Sequence, residues 1–77
     1  MAASVEGLRE EWEEEDRELK ELRRRSADWR YIESLPPRVR EAVELYIETG
    51  DIWLAAKLAG LTVDEFNEIR IRAGILW

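Results

Sequence analysis

From Val5 to Ile32 the apolar residues keep heptad spacing: Val5, Leu8, Trp12, Leu19, Leu22 and Trp29 fall on a and d positions, and Glu15 and Ser26 fill the two remaining sites. That periodicity predicts one long amphipathic helix over Val5 to Ile32. Opposite charges flank the stripe at helical spacing, Glu13 with Arg17, Asp16 with Lys20 and Glu21 with Arg25. Each such pair supports a solvated helix by about 0.2–0.5 kcal/mol. Acidic residues precede basic ones, which suits the helix dipole. The pattern stops at "ESLPPRVRE". Pro36 keeps Leu35 extended, and Pro37 suits the first turn of a new helix.

Beyond the prolines the spacing is that of an ordinary small core. Val39, Ala42, Val43, Tyr46 and Ile47 form a helical stripe that Gly50 can end. Asp51 can cap "IWLAAKLA", Gly60 closes it, and Ala55, Ala56 and Ala59 permit a close helix neighbour. Thr62 and Glu65 form a T-x-x-E capping box for a third helix with Val63, Phe66, Ile69 and Ala73 facing inward and Gly74 as its stop. The closing "ILW" is too short for a core and too apolar for water, so it covers the bundle's end or meets a second chain. The reading is therefore all-α: residues 1–35 form a charged amphipathic arm, and residues 36–77 form a three-helix domain containing a helix-turn-helix.

Composition narrows the chemistry. The 77 residues allow one small core. Without Cys or His there is no disulfide, no usual zinc framework, no thiol nucleophile and no histidine base. Ser4, Ser26, Ser34 and the two Tyr have no base or metal partner in the sequence, so no catalytic residue, metal site or cofactor is expected and the chain reads as a non-enzyme. No apolar run is long enough to span a membrane, and the opening residues lack a basic region followed by an apolar one. A cytoplasmic protein is expected. Ten Arg against two Lys, a single Asn and no Gln suggest a thermophilic host with an Arg-biased genome.

The spacing of Ala56, Gly60, Phe66 and Ile69 is that of a helix-turn-helix, with Val63 to Ala73 in the place of a recognition helix. Its candidate DNA contacts are Thr62, Asn67, Arg70 and Arg72, and Asn67 could pair with adenine. Asp64 and Glu68 would face phosphates on the same side, and a net charge of −6 opposes attraction to DNA. DNA binding by the chain alone is therefore expected to be weak. Trp53, Ile71, Leu76 and Trp77 are surplus to a monomer core, and predict a homo-oligomer through those residues.

The run "AVELYIETGDIWLAAKLAGLTVDEFNEIRIRAGI" resembles the short helix-turn-helix antitoxins of prokaryotes, the VapB-like kind, over Ala42 to Ile75. The residues that carry the likeness are Tyr46, Gly50, Ala55, Ala56, Ala59, Gly60, Leu61, Phe66, Ile69, Gly74 and Ile75, most of them packing or turn residues. The resemblance implies a small dimerising domain joined to a segment that wraps a toxin, commonly a PIN-domain ribonuclease. Here the candidate wrapping arm precedes the domain rather than following it. The resulting expectation is an antitoxin-like protein whose arm binds a protein partner through Leu8, Trp12, Leu19, Leu22 and Trp29, with one of Arg23, Arg24 or Arg25, Arg24 foremost, reaching a partner carboxylate. A small transcriptional regulator that binds operator DNA is the alternative, and an assembly subunit whose arm pairs with itself is a third reading.

Overall fold

A computed structural model describes the backbone of residues 5–75 and the side chains of residues 16–75. Its helices are α1 (Val5–Ser26), α2 (Trp29–Ser34), α3 (Pro37–Thr49), α4 (Ile52–Ala59) and α5 (Val63–Arg72), and no strand occurs among the described residues. Local chemistry sets most of the boundaries. Leu35 is extended, and Pro37 opens α3 where a missing N–H costs nothing. Gly50 takes the left-handed conformation and ends α3. Asp51 then caps α4 by accepting a hydrogen bond from the Leu54 N–H at 3.0 Å. Both halves of the Thr62–Glu65 capping box are formed, at 3.1 and 2.9 Å.

Tertiary packing centres on Phe66, fully buried on α5, with the Tyr46 ring of α3 tilted against it at a centroid distance of 5.9 Å. The small side chains Ala55, Ala56 and Ala59 are the buried face of α4 and let it lie close to both neighbours. Ala42, Val43 and Ile47 complete the contribution of α3. Ile32, from before the prolines, is also in this cluster, so the core crosses the boundary expected at residues 35/36. Ile75, the first residue of the closing "ILW", is fully buried too; Leu76 and Trp77 lie outside the described residues.

The helix expected over Val5 to Ile32 is two helices. The break falls at Ala27 and Asp28, where the Asp28 carboxylate caps α2 by accepting from the Tyr31 N–H at 3.2 Å. A contact from the far end of the chain holds it, since the Asp28 N–H donates to Ala73 O at 2.7 Å. Gly74 is required beside that bond. It has φ +77°, and a Cβ there would sit 2.8 Å from the Ser26 carbonyl oxygen. The break turns Ile32 into the core, a gain that a straight helix with an outward stripe would forgo.

Candidate protein-binding surfaces

Between Asp16 and Ser26 the only side chain that α1 buries belongs to Arg23, at 4% exposure. Its Nε donates to the Ile47 carbonyl oxygen at 2.9 Å, and its guanidinium carbon stands 6.0 Å from the Tyr46 ring centroid. The guanidinium therefore closes the negative end of α3 and satisfies a carbonyl that the helix itself leaves open. Gly50 leaves it room, for a Cβ there would lie 3.1 Å from Arg23 Nη1. Arg23 Nη2 is buried with no hydrogen-bond partner among the described residues.

The arrangement recurs. Arg38 Nε donates to Leu58 O near the end of α4 at 2.8 Å, with its guanidinium over Gly60. Arg70 Nη1 donates to Ile75 O at 2.7 Å, just past Gly74. Arg23 and Arg38 thus occupy carbonyls in the last turns of α3 and α4, and Arg70 occupies one in the chain beyond α5.

Around Arg23 the docking of α1 is ionic. Lys20 and Arg24 both bridge Glu48 on α3, at 2.6 and 2.9 Å. Glu48 is held below the usual glutamate pKa, first by the hydrogen bond from Lys20, against a contribution from desolvation, with both cations assisting. The expected Asp16–Lys20 pair gives way to this contact, because Lys20 faces α3. Glu13 lies outside the described side chains.

This mode of docking leaves apolar residues of α1 open. Around the helix Leu22 points about 100° from Arg23, to the side of the α3 contact, and Leu19 and Leu22 remain 40% and 39% exposed. Leu8 and Trp12, expected on the same stripe, lie outside the described side chains. Trp29 is separated from that stripe by the break. Its indole Nε1 donates to Arg24 O at 3.2 Å, and its ring lines a groove over α3 with Leu45 and Leu58. Arg24, expected to reach a partner carboxylate, is engaged with Glu48.

Residues expected at DNA are mostly occupied within the fold. Thr62 Oγ1 caps α5. Asn67 Oδ1 accepts two bonds from Arg70, at 2.9 and 2.7 Å. Arg72 is exposed, as are Asp64 and Glu68. Glu65 is held below its usual pKa first by the backbone N–H of Thr62 and then by the Thr62 side chain.

Of the residues expected at an oligomer interface, Trp53 is 74% exposed and borders a groove of ≈ 880 Å³ with Lys57, Thr62 and Asp64. Ile71 is exposed but lies outside that groove, about 10 Å further along α5 than Asp64 by helical rise. The structure does not bring these two together.

Sequence reasoning missed the burial of Arg23 and the groove residues Glu41, Glu44, Leu45 and Leu58. The groove had a visible signal, since Glu41, Glu44, Leu45 and Glu48 share one face at i, i+3, i+4 and i+7. Arg23 had none, because its partner carbonyl is 24 residues away. No described helix is long and apolar enough to cross a membrane. Compared with known proteins, the chain matches no family model, no curated protein and no solved structure.

Proposed function

We propose that this chain is a non-enzymatic, antitoxin-like binding protein of the cytoplasm. Its long N-terminal helix engages a protein toxin, for which a PIN-domain ribonuclease is the leading candidate. The helix-turn-helix formed by α4, the Gly60–Thr62 turn and α5 serves as scaffold and oligomerisation unit, with Trp53 as its anchor. The observation that carries this reading is the manner in which α1 docks: it spends its cations on α3 and keeps Leu19 and Leu22 open. An apolar stripe on a charge-dense helix is the form in which helices enter partner grooves.

The reading predicts a nuclease encoded beside this gene, and the test is RNA cleavage by that nuclease. The wild-type chain is expected to suppress it, and Leu19→Asp with Leu22→Asp to lose suppression while keeping wild-type helicity. Unchanged suppression by that variant, or a neighbouring gene encoding no nuclease, counts against the reading.

Operator binding through α5 is the second reading, favoured by the exposed Arg72 next to the turn-and-helix geometry. Weighing against it, Asn67 and Arg70 hold each other and Asp64 and Glu68 stand exposed. Steeply salt-dependent affinity of the chain alone for a specific duplex would reverse the ranking.

A further inference from the structure

The groove bordered by α1, α2, α3 and α4 has an apolar floor, an acidic edge and a volume of ≈ 520 Å³, and Arg24 of α1, paired with Glu48, is also among its lining residues. Trp29, Leu45 and Leu58 supply the floor. Glu41, Glu44 and Glu48 stand along one side, all exposed. Glu48 already binds two cations, Lys20 and Arg24, which shows what this edge accepts. Glu41 and Glu44 have no ion pair or hydrogen bond among the described residues, although they lie on the same face of α3.

We propose that this groove docks a cationic amphipathic segment of a protein partner, with an apolar residue seated against Trp29 and Leu58 and Lys or Arg residues over Glu41 and Glu44. Charge selects this occupant. Nucleic acid would bring phosphates to carboxylates. A second copy carries net charge −6 overall, and the cations of its α1 are already engaged within its own fold, Lys20 and Arg24 on Glu48 and Arg23 on the Ile47 carbonyl. A helix or extended segment with basic residues flanking an apolar anchor satisfies both parts of the site. This inference goes beyond the antitoxin reading, which rests on Leu19 and Leu22, and stands whether or not that reading holds.

The experiment titrates the full-length protein with a 15-residue Leu/Lys amphipathic peptide, read by NMR shifts of the Leu45 and Leu58 methyls and the Trp29 indole. Glu41→Lys with Glu44→Lys is expected to weaken binding by about tenfold or more, because it reverses the charge facing the ligand. The change Asp64→Lys with Glu68→Lys alters net charge equally but lies on α5, and is expected to weaken binding less than about twofold. A Leu/Glu peptide is expected not to bind. If Glu41→Lys with Glu44→Lys fails to fold, the neutral pair Glu41→Gln and Glu44→Gln takes its place, with a smaller loss in the same direction. Equal weakening by the two Lys variants would overturn the proposal, leaving only general attraction to an acidic chain. So would shifts confined to Leu19 and Leu22, or self-association that shifts the groove residues without peptide. Leu19→Asp with Leu22→Asp separates the two readings, for it is expected to leave peptide binding intact.

Discussion

Between Asp16 and Ser26, α1 meets the bundle through one buried guanidinium and two cations shared by Glu48, whereas α3, α4 and α5 meet through Tyr46, Phe66 and three alanines. The two contacts differ in what they cost to break. Separating the bundle helices exposes apolar area, at about 25 cal/mol per Å². Releasing α1 returns charges to water, which recovers much of what their pairing gives up. An element held in this way is expected to open at lower free energy than the rest of the fold. Within the N-terminal region the same contrast recurs, because α2 places Ile32 in the core and belongs with the bundle. A cut that separates arm from bundle therefore falls before Asp28, and a chain beginning at Ser34 would lose a core side chain.

The largest effect should come from the bundle side of this comparison. Phe66→Ala removes the central side chain and its contact with Tyr46, and is expected to cost about 3–5 kcal/mol. Urea unfolding followed by circular dichroism should show most helicity lost at lower denaturant, and a change within about 0.5 kcal/mol would mean that the core lies elsewhere. Next comes the contact that joins the two regions. Arg23→Ala is expected to cost about 1–3 kcal/mol, the range for a charged hydrogen bond to a carbonyl, with the loss concentrated in α1. Equal loss throughout the bundle would show that Arg23 supports the core and not the arm.

Smaller effects sharpen the picture locally. Thr62→Ala removes one side of the capping box and is expected to cost about 1 kcal/mol, confined to α5 and α4. The Glu65 carboxyl should then titrate closer to its usual value, because part of what lowers it is the Thr62 side chain. An unmoved Glu65 titration by NMR would mean that the box is not formed in solution. The smallest effect concerns Glu48. Its folded pKa is lowered, so its contribution is present above the unfolded carboxylate pKa and is lost as pH falls through the folded value. Acidification should loosen α1 before the bundle, Glu48→Gln should remove that part of the pH dependence, and salt should mimic it. Identical acid profiles for Glu48→Gln and wild type would contradict this.

What the sequence made legible is mostly local chemistry. Asp51, Gly50, Gly60, Thr62, Glu65 and Gly74 act over three to five residues, and all of them bound helices where their spacing says they should. Phe66 was readable as core from its place on the inward face of its helix, and the alanines of α4 from their small size. Contacts that join distant residues were not. The heptad pattern ran through Ala27 because nothing nearby announces that Asp28 will bond to Ala73. Asp28 itself was the available clue, a good N-cap residue within a helical run. Lys20 read as the partner of Asp16 within its own helix and Arg24 as a contact for another protein, since pairing along a helix is a matter of spacing and pairing across helices is not. At the candidate surfaces, Leu19, Leu22, Trp53 and Ile71 are exposed. The groove between α2, α3 and α4 depends on the break at Asp28, which sets Trp29 beside Leu45 and Leu58.

Native-state hydrogen exchange tests the central claim most directly, by comparing amides of residues 16–26 with those of residues 37–72 in the wild type and in Arg23→Ala. Polar docking predicts that α1 opens at lower free energy than the bundle, and that Arg23→Ala widens this gap by lowering protection in α1 alone. If the amides of both regions exchange through a single opening, and Arg23→Ala lowers both together, then α1 is an inseparable part of the core and is not free to be lent to a partner.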